Sequence, residues 1–269
     1  DGFTLTGGGV TDDSGNGATC GIEIEMNASP TIENNIISGG SANSSTGIID
    51  RGISTVIRNN TIRCNEPGVE SWVISGISSN GSSPTIIGND INGGSGLGYI
   101  GGGGATGGNG SGIHLTDVNA IIEQNSVVGG GSGEFSYGVL VGGTSTVLIR
   151  SNTIHGGNSY NTFGVFTNAD SIVTMQNNTI FSGNADGFFS IALNTGSPAI
   201  IENNILFGFM CIKENGNSAD PIRLFANNLY GCDTQYFYYD GDAQCTGNAD
   251  GDNDAHTCTL AEMNQLTDM

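Results

Sequence analysis

The chain has 269 residues, with 26 acidic against 6 basic side chains, a formal net charge of −20 and 46 glycines. Six Lys and Arg cannot build the basic face that displaces counterions from phosphates, which excludes a nucleic-acid partner. No apolar run approaches bilayer length, so no transmembrane segment is expected; abundant Ile and Val argue against disorder, and the glycines lack the three-residue period of collagen.

The first clear strand is Ile22-Glu23-Ile24-Glu25-Met26, whose alternation sends Glu23 and Glu25 outward. A phrase then begins to recur: Ile32-Glu33-Asn34-Asn35-Ile36-Ile37, followed by Ile57-Arg58-Asn59-Asn60-Thr61-Ile62. Its second Asn falls at Asn35, Asn60, Asn89, Asn125, Asn152, Asn178, Asn204 and Asn228, with spacings of 25, 29, 36, 27, 26, 26 and 24 residues. A unit this short cannot form a domain; it suits one turn of a coil stacked on the next. The residue three before the Asn is always apolar, from Ile32 to Phe225, as is the residue two after it, from Ile37 to Tyr230. Both are read as inward columns. Asn amides stacked about 4.8 Å apart can hydrogen-bond from turn to turn. The outward column two before the Asn puts Glu33 over Arg58 and Glu123 over Arg150.

A second strand precedes each phrase, with inward pairs such as Val139/Val141 and Ile191/Leu193, and an aromatic column at Tyr137, Phe163 and Phe189 that is also read as inward. Cys20 falls in that column as a buried thiol. The pattern predicts an all-β parallel solenoid of about ten turns with three short sheets per turn and an Asn ladder, over residues 1–235. Residues 236–269 are expected to cap it.

The recurring Ile-x-Asn-Asn-Thr-Ile phrase and the opening Asp1-Gly2-Phe3-Thr4-Leu5-Thr6-Gly7-Gly8 resemble bacterial right-handed parallel β-helix proteins of the pectate-lyase-like superfamily, in their secreted or surface-anchored form. The resemblance implies a right-handed coil, export, and a carbohydrate-facing role. Polygalacturonases of that group imply Asn-Thr-Asp, Gly-His-Gly and Arg-x-Lys elements, none of which occurs here. Lyases of the group imply an Arg or Lys base beside calcium carboxylates, a place that only Arg51 could take.

Four candidate sites follow. Asp50 precedes Asn60 by ten residues, as Glu25 precedes Asn35, so Glu23, Glu25, Asp50 and Arg51 are expected to cluster on adjacent turns. Such carboxylates could bind calcium, serve as an acid/base pair on a glycosidic bond, or form an exposed acidic face. The Gly-rich interval 92–112 carries Tyr99 as a contact residue, and His114 follows it at an outward position. Near the end, Asp250, Asp252 and Asp254, with Asp240 and Asp242, offer the oxygens that calcium prefers, or form a solvated turn. Sixteen of the nineteen aromatics lie after residue 134, and the run Tyr236-Phe237-Tyr238-Tyr239 could cap the coil or stack on sugars.

The six cysteines suggest an oxidising compartment, and the start at Asp1 suggests a processed piece of an exported protein. Cys211 and Cys232 fall on adjacent turns and are expected to pair; Cys245 and Cys258 flank the Asp-rich loop and could close it. The function expected is a non-catalytic extracellular or cell-surface module, monomeric, binding a polysaccharide or cell-surface glycan. The alternative is a calcium-assisted polysaccharide lyase or glycoside hydrolase. A charge of −20 disfavours polyanionic ligands unless calcium bridges like charges.

Overall fold

The computed structural model describes residues 2–8, 18–40, 44–64, 73–94, 109–131, 134–183, 187–194, 196–215, 221–232, 238–240, 247–248 and 256–258. One turn shows the plan. Asn109–Thr116 forms a long strand, Asn119–Glu123 a second, and Ser126–Val128 a short third. Each pairs in parallel with its counterpart one turn on: Ile113 with Val139, Ile122 with Ile149, and Val127 with Ile154. Repetition gives a long sheet of eleven strands, a second of eight and a third of nine. Among the described residues there is no helix.

The inward columns make one continuous core. Ile77, Ile113 and Val139 come from the long sheet, Ile86, Ile122 and Ile149 from the second, and Ile91, Val127 and Ile154 from the third. Nearly all are sealed from solvent. A core this narrow exists only because turns stack. Each turn shields its neighbours, and no single turn could bury its own apolar face.

The corner between the second and third sheets is set by two adjacent residues. The residue before each ladder Asn adopts a left-handed backbone: Asn34, Asn59, Gln124, Ser151, Asn177, Asn203 and Ala226 have φ between 54° and 57°, and Gly88 has 66°. Among residues with a side chain Asn tolerates this conformation well, so the paired Asn-Asn of the phrase divides its labour. The first turns the chain and the second stitches turns together. Asn125 shows the stitch. Its backbone N–H and its Nδ2 both donate to Oδ1 of Asn152, at 2.9 and 3.0 Å, and Nδ2 also reaches Ile86 O and Glu123 O.

The last rung corrects the expected register. Asn204 donates to Oδ1 of Asn227, and Asn228 pairs instead with Ile205 in the third sheet. The final step is therefore 23 residues, and the true inward residues are Leu224 and Leu229. Phe225 and Tyr230, expected inside, point to solvent.

A glycine column, Gly21, Gly47, Gly76, Gly112, Gly138 and Gly164, bends the first six long strands, and Ser190 and Cys211 take the same position in the next two. A Cβ on Gly76 would stand 2.5 Å from Cγ2 of Ile91, so the third-sheet Ile occupies the space a side chain would need. Strict alternation fails at this bend. Gly138 and Val139 both face the core, while Tyr137 and Leu140 both face out.

The coil comprises eight strand triplets, and its ladder makes seven turn-to-turn steps from Asn35 to Asn227. This is fewer than the expected ten, because the longest step consumes 36 residues and the chain leaves the coil near its end. Tyr238–Asp240 still runs parallel to Ile212 and Lys213, but His256–Cys258 and Gly247–Asn248 add antiparallel. A disulfide from Cys211 to Cys232, with Cα atoms 5.7 Å apart, ties the last long strand of the coil to the chain leaving its final third-sheet strand.

Candidate glycan-binding face

The geometry disperses the expected catalytic cluster. Ile24, not Glu25, pairs with Asp50, and this register turns Asp50 inward. Asp50 is 0% exposed. It accepts hydrogen bonds from Gly52 N–H at 3.0 Å, Thr55 Oγ1 at 2.8 Å, and Ser79 Oγ and Ser82 Oγ at 3.0 Å each. Four donors satisfy a buried carboxylate and leave it no substrate to reach. Its role is to close a corner across two turns. Glu23 and Arg51 lie outside as an exposed ion pair. Glu25 is exposed at a turn, its carbonyl accepting Ala28 N–H.

Arg51 is not exceptional. Arg58 pairs with Glu33, Arg63 with Asp90, Arg150 with Glu123 at 2.8 Å, and Arg223 with Glu202 at 2.8 Å. Every arginine of the chain is thus engaged with a carboxylate on an adjacent turn. The sixth cation, Lys213, lies 4.6 Å over the Phe189 ring.

His114 stands on the outer side of the long sheet, with Nε2 at 3.4 Å from Thr116 Oγ1. Burial pushes its pKa below the usual imidazole value. Among the described residues no group of three or more His, Cys, Asp or Glu could hold a metal ion. The expected calcium ligands Asp242, Asp250, Asp252 and Asp254, the contact residue Tyr99, and Cys245 lie outside the described residues. Asp240 and Cys258 are described only as backbone, in strands Tyr238–Asp240 and His256–Cys258.

The aromatic column expected in the core lies outside it. Tyr137 and Phe163 stack at 5.3 Å, Phe163 and Phe189 likewise at 5.3 Å, and Phe166 meets Phe163 edge-on at 5.1 Å. With Phe135 and Leu140 they form a second cluster, separate from the solenoid core. The bend at Gly138 and Gly164 reverses the parity of the strand and sends these rings outward. They are nonetheless sealed: Tyr137 is 8% and Phe163 6% exposed. Burial, with Glu134 nearby, pushes the Tyr137 phenol up to about 12. Tyr137 and Phe163 are covered by their neighbouring rings and offer little ring surface to a ligand. Cys20 belongs to the same outer column, level with Thr46, and is half-buried rather than a core thiol.

The third sheet carries an aromatic column that the repeats conceal. His155, Phe181, Phe207 and Tyr230 occupy equivalent third positions of successive strands. Their ring centroids are 6.2, 5.7 and 5.5 Å apart, with interplanar angles of 30°, 54° and 29°. Exposure grows along the column, to 40% at Phe207 and 66% at Tyr230. Gly231, at φ 72°, leaves room for the Phe207 ring, since a Cβ there would lie 2.7 Å from it. Beside the rings, on the same outer face, run Thr153, Thr179, Ile205 and Asn228. His155 Nδ1 accepts Gly157 N–H at 3.0 Å, and burial lowers its pKa, so the first ring is held neutral. The signal was present in the sequence, three residues after each ladder Asn, but a one-residue slip at Asn227/Asn228 read Tyr230 as core.

Among the described residues no helix is long and apolar enough to cross a membrane. No curated protein and no solved structure matches the chain. Residues 75–248 match the right-handed β-helix region family. That span covers most of the parallel coil and its last strands, and the chain belongs to the right-handed β-helix family.

Proposed function

We propose that this protein is a non-catalytic extracellular or cell-surface β-helix module that binds polysaccharide along its third sheet. The supporting observation is the column His155–Phe181–Phe207–Tyr230, half-buried at its first two rings and exposed at Phe207 and Tyr230, which runs beside hydroxyl and amide side chains. Aromatic rings with one apolar and one wet side suit sugars, whose C–H faces are apolar and whose edges hydrogen-bond. A disulfide agrees with an oxidising compartment.

The catalytic alternative loses its residues. Asp50 is spent on four internal donors and Arg51 on Glu23, so neither a carboxylate pair nor a free base assembles at that face. Calcium at the Asp-rich segment is part of the proposal.

The test is incubation with insoluble neutral polysaccharide, with calcium or chelator, followed by sedimentation and assay of the supernatant for new reducing ends and unsaturated products. Binding without product is expected. Product release that scales with protein and disappears in Glu23→Gln would overturn the non-catalytic reading.

A further inference from the structure

We infer that the ligand of this face is a neutral, unbranched pyranose chain lying parallel to the coil axis, with one sugar unit per turn of the ladder. The inference rests on the polysaccharide-binding reading and narrows its ligand.

Charge selects the class. In the last five strands of the third sheet the two outward columns read Ser126 and Val128, Thr153 and His155, Thr179 and Phe181, Ile205 and Phe207, Asn228 and Tyr230. None is a carboxylate or a cation, and His155 is held neutral. The strip is uncharged over five turns, in a chain whose net charge is −20. A carboxylated polymer laid there would shed hydration against rings with no cation in either column, inside a repulsive field. The charged pair Arg63 and Asp90 stands on the two preceding strands of the same sheet, Asp90 directly beside Ser126, and closes the strip on that side.

Geometry selects the direction. The rings advance with the turns, about 4.8 Å per strand along the axis. Their centroids are 5.5–6.2 Å apart, wider than the strand step, so the rings are offset and tilted rather than eclipsed. Among the described residues Tyr230 belongs to the terminal strand of the third sheet. The rings of a column cannot be met together by a chain crossing the strip, which would touch one turn only. Thr153, Thr179 and Asn228 supply hydrogen-bonding partners on one flank, and branches on that side would meet them first.

The experiment is calorimetric titration of the 269-residue protein with cellobiose, cellotetraose, cellohexaose, mannohexaose and tetragalacturonate, using wild type and Tyr230→Ala. Affinity should rise from the disaccharide to the tetrasaccharide, level off by the hexasaccharide, and exceed that for tetragalacturonate by about tenfold or more. Tyr230→Ala, at an exposed site, should weaken the neutral ligands with unchanged thermal unfolding. Equal or tighter binding of tetragalacturonate, or affinity independent of length, would overturn this inference while leaving polysaccharide binding intact. Absence of heat with every sugar would overturn both.

Discussion

Oδ1 of Asn152 accepts two hydrogen bonds from Asn125, one from its backbone N–H at 2.9 Å and one from its Nδ2 at 3.0 Å. The same double acceptance recurs at Asn60, Asn89, Asn178, Asn204 and Asn227, so each rung closes the corner of the turn before it. Truncating one rung strands a buried donor: without Asn152 Oδ1 the backbone N–H of Asn125 loses its acceptor, while its Nδ2 keeps Ile86 O and Glu123 O, and the carbonyls of Ile122 and Arg150 lose the Asn152 amide. Asn152→Ala is expected to cost about 2–3 kcal/mol, from the desolvated N–H and the lost amide bonds together. Asn228→Ala, one residue past the last rung, should change stability by no more than about 0.5 kcal/mol. Urea unfolding of the two variants decides; equal losses would contradict the assignment of Asn227 to the ladder.

Asp50 and Arg51 are neighbours with opposite fates. Asp50→Ala removes the acceptor shared by Gly52, Thr55, Ser79 and Ser82, and is expected to cost about 3 kcal/mol or more. Arg51→Ala breaks only a solvent-exposed ion pair with Glu23 and should cost under about 1 kcal/mol. Polymer binding should be unchanged by Arg51→Ala. A large loss of binding with intact folding would return this face to the candidates.

The coil was legible because an inward column must be apolar at every turn, and the Ile columns are. The ladder was legible for the same reason: a hydrogen-bonding Asn stacks only on another Asn. The cross-turn pairs Glu33–Arg58 and Glu123–Arg150 followed directly from that register. What the sequence hid lay where periodicity breaks. Glycine reads as a loop residue, so the column from Gly21 to Gly164 gave no sign of being the bend of a strand. That bend reverses inside and outside, which is why Tyr137 and Phe163 were placed in the core. At Asn227-Asn228 two identical residues compete for one rung, and the apolar Phe225 and Tyr230 fit the wrong choice as well as Leu224 and Leu229 fit the right one. The Asp50 error has the same origin: counting ten back from Asn60 ignores that loops between strands differ in length.

The glycine bend makes its own prediction. In Gly76→Ala the added methyl collides with Ile91 and with the carbonyl of Gly112, 2.7 Å away. Overpacking of this kind should cost about 1–3 kcal/mol. Gly142→Ala is the control, since a Cβ there meets nothing within 4 Å. Thermal unfolding should show a lowered midpoint for the first and little change for the second.

Acid should weaken the fold before the carboxylates titrate. Burial holds His114 and His155 below the usual imidazole value of about 6.5. A native pKa below the unfolded one means that the unfolded chain binds more protons, so stability is complete above about 6.5 and declines as pH falls toward the native values. The midpoint of thermal unfolding should drop from pH 7.5 to 5.5 in wild type, and drop less in His114→Gln/His155→Gln. An identical drop in both would show that the histidines do not carry it.

The most direct test of glycan binding by the aromatic ladder is affinity electrophoresis of wild type and Phe207→Ala/Tyr230→Ala in native gels cast with neutral or with acidic polysaccharide. Wild type should be retarded in the neutral gel without clearing the polymer, and the double variant, folded by its thermal transition, should run as in a polymer-free gel. Equal retardation of wild type and the double variant would contradict the ladder as the binding site, and a cleared zone around the wild-type band would contradict a non-catalytic role.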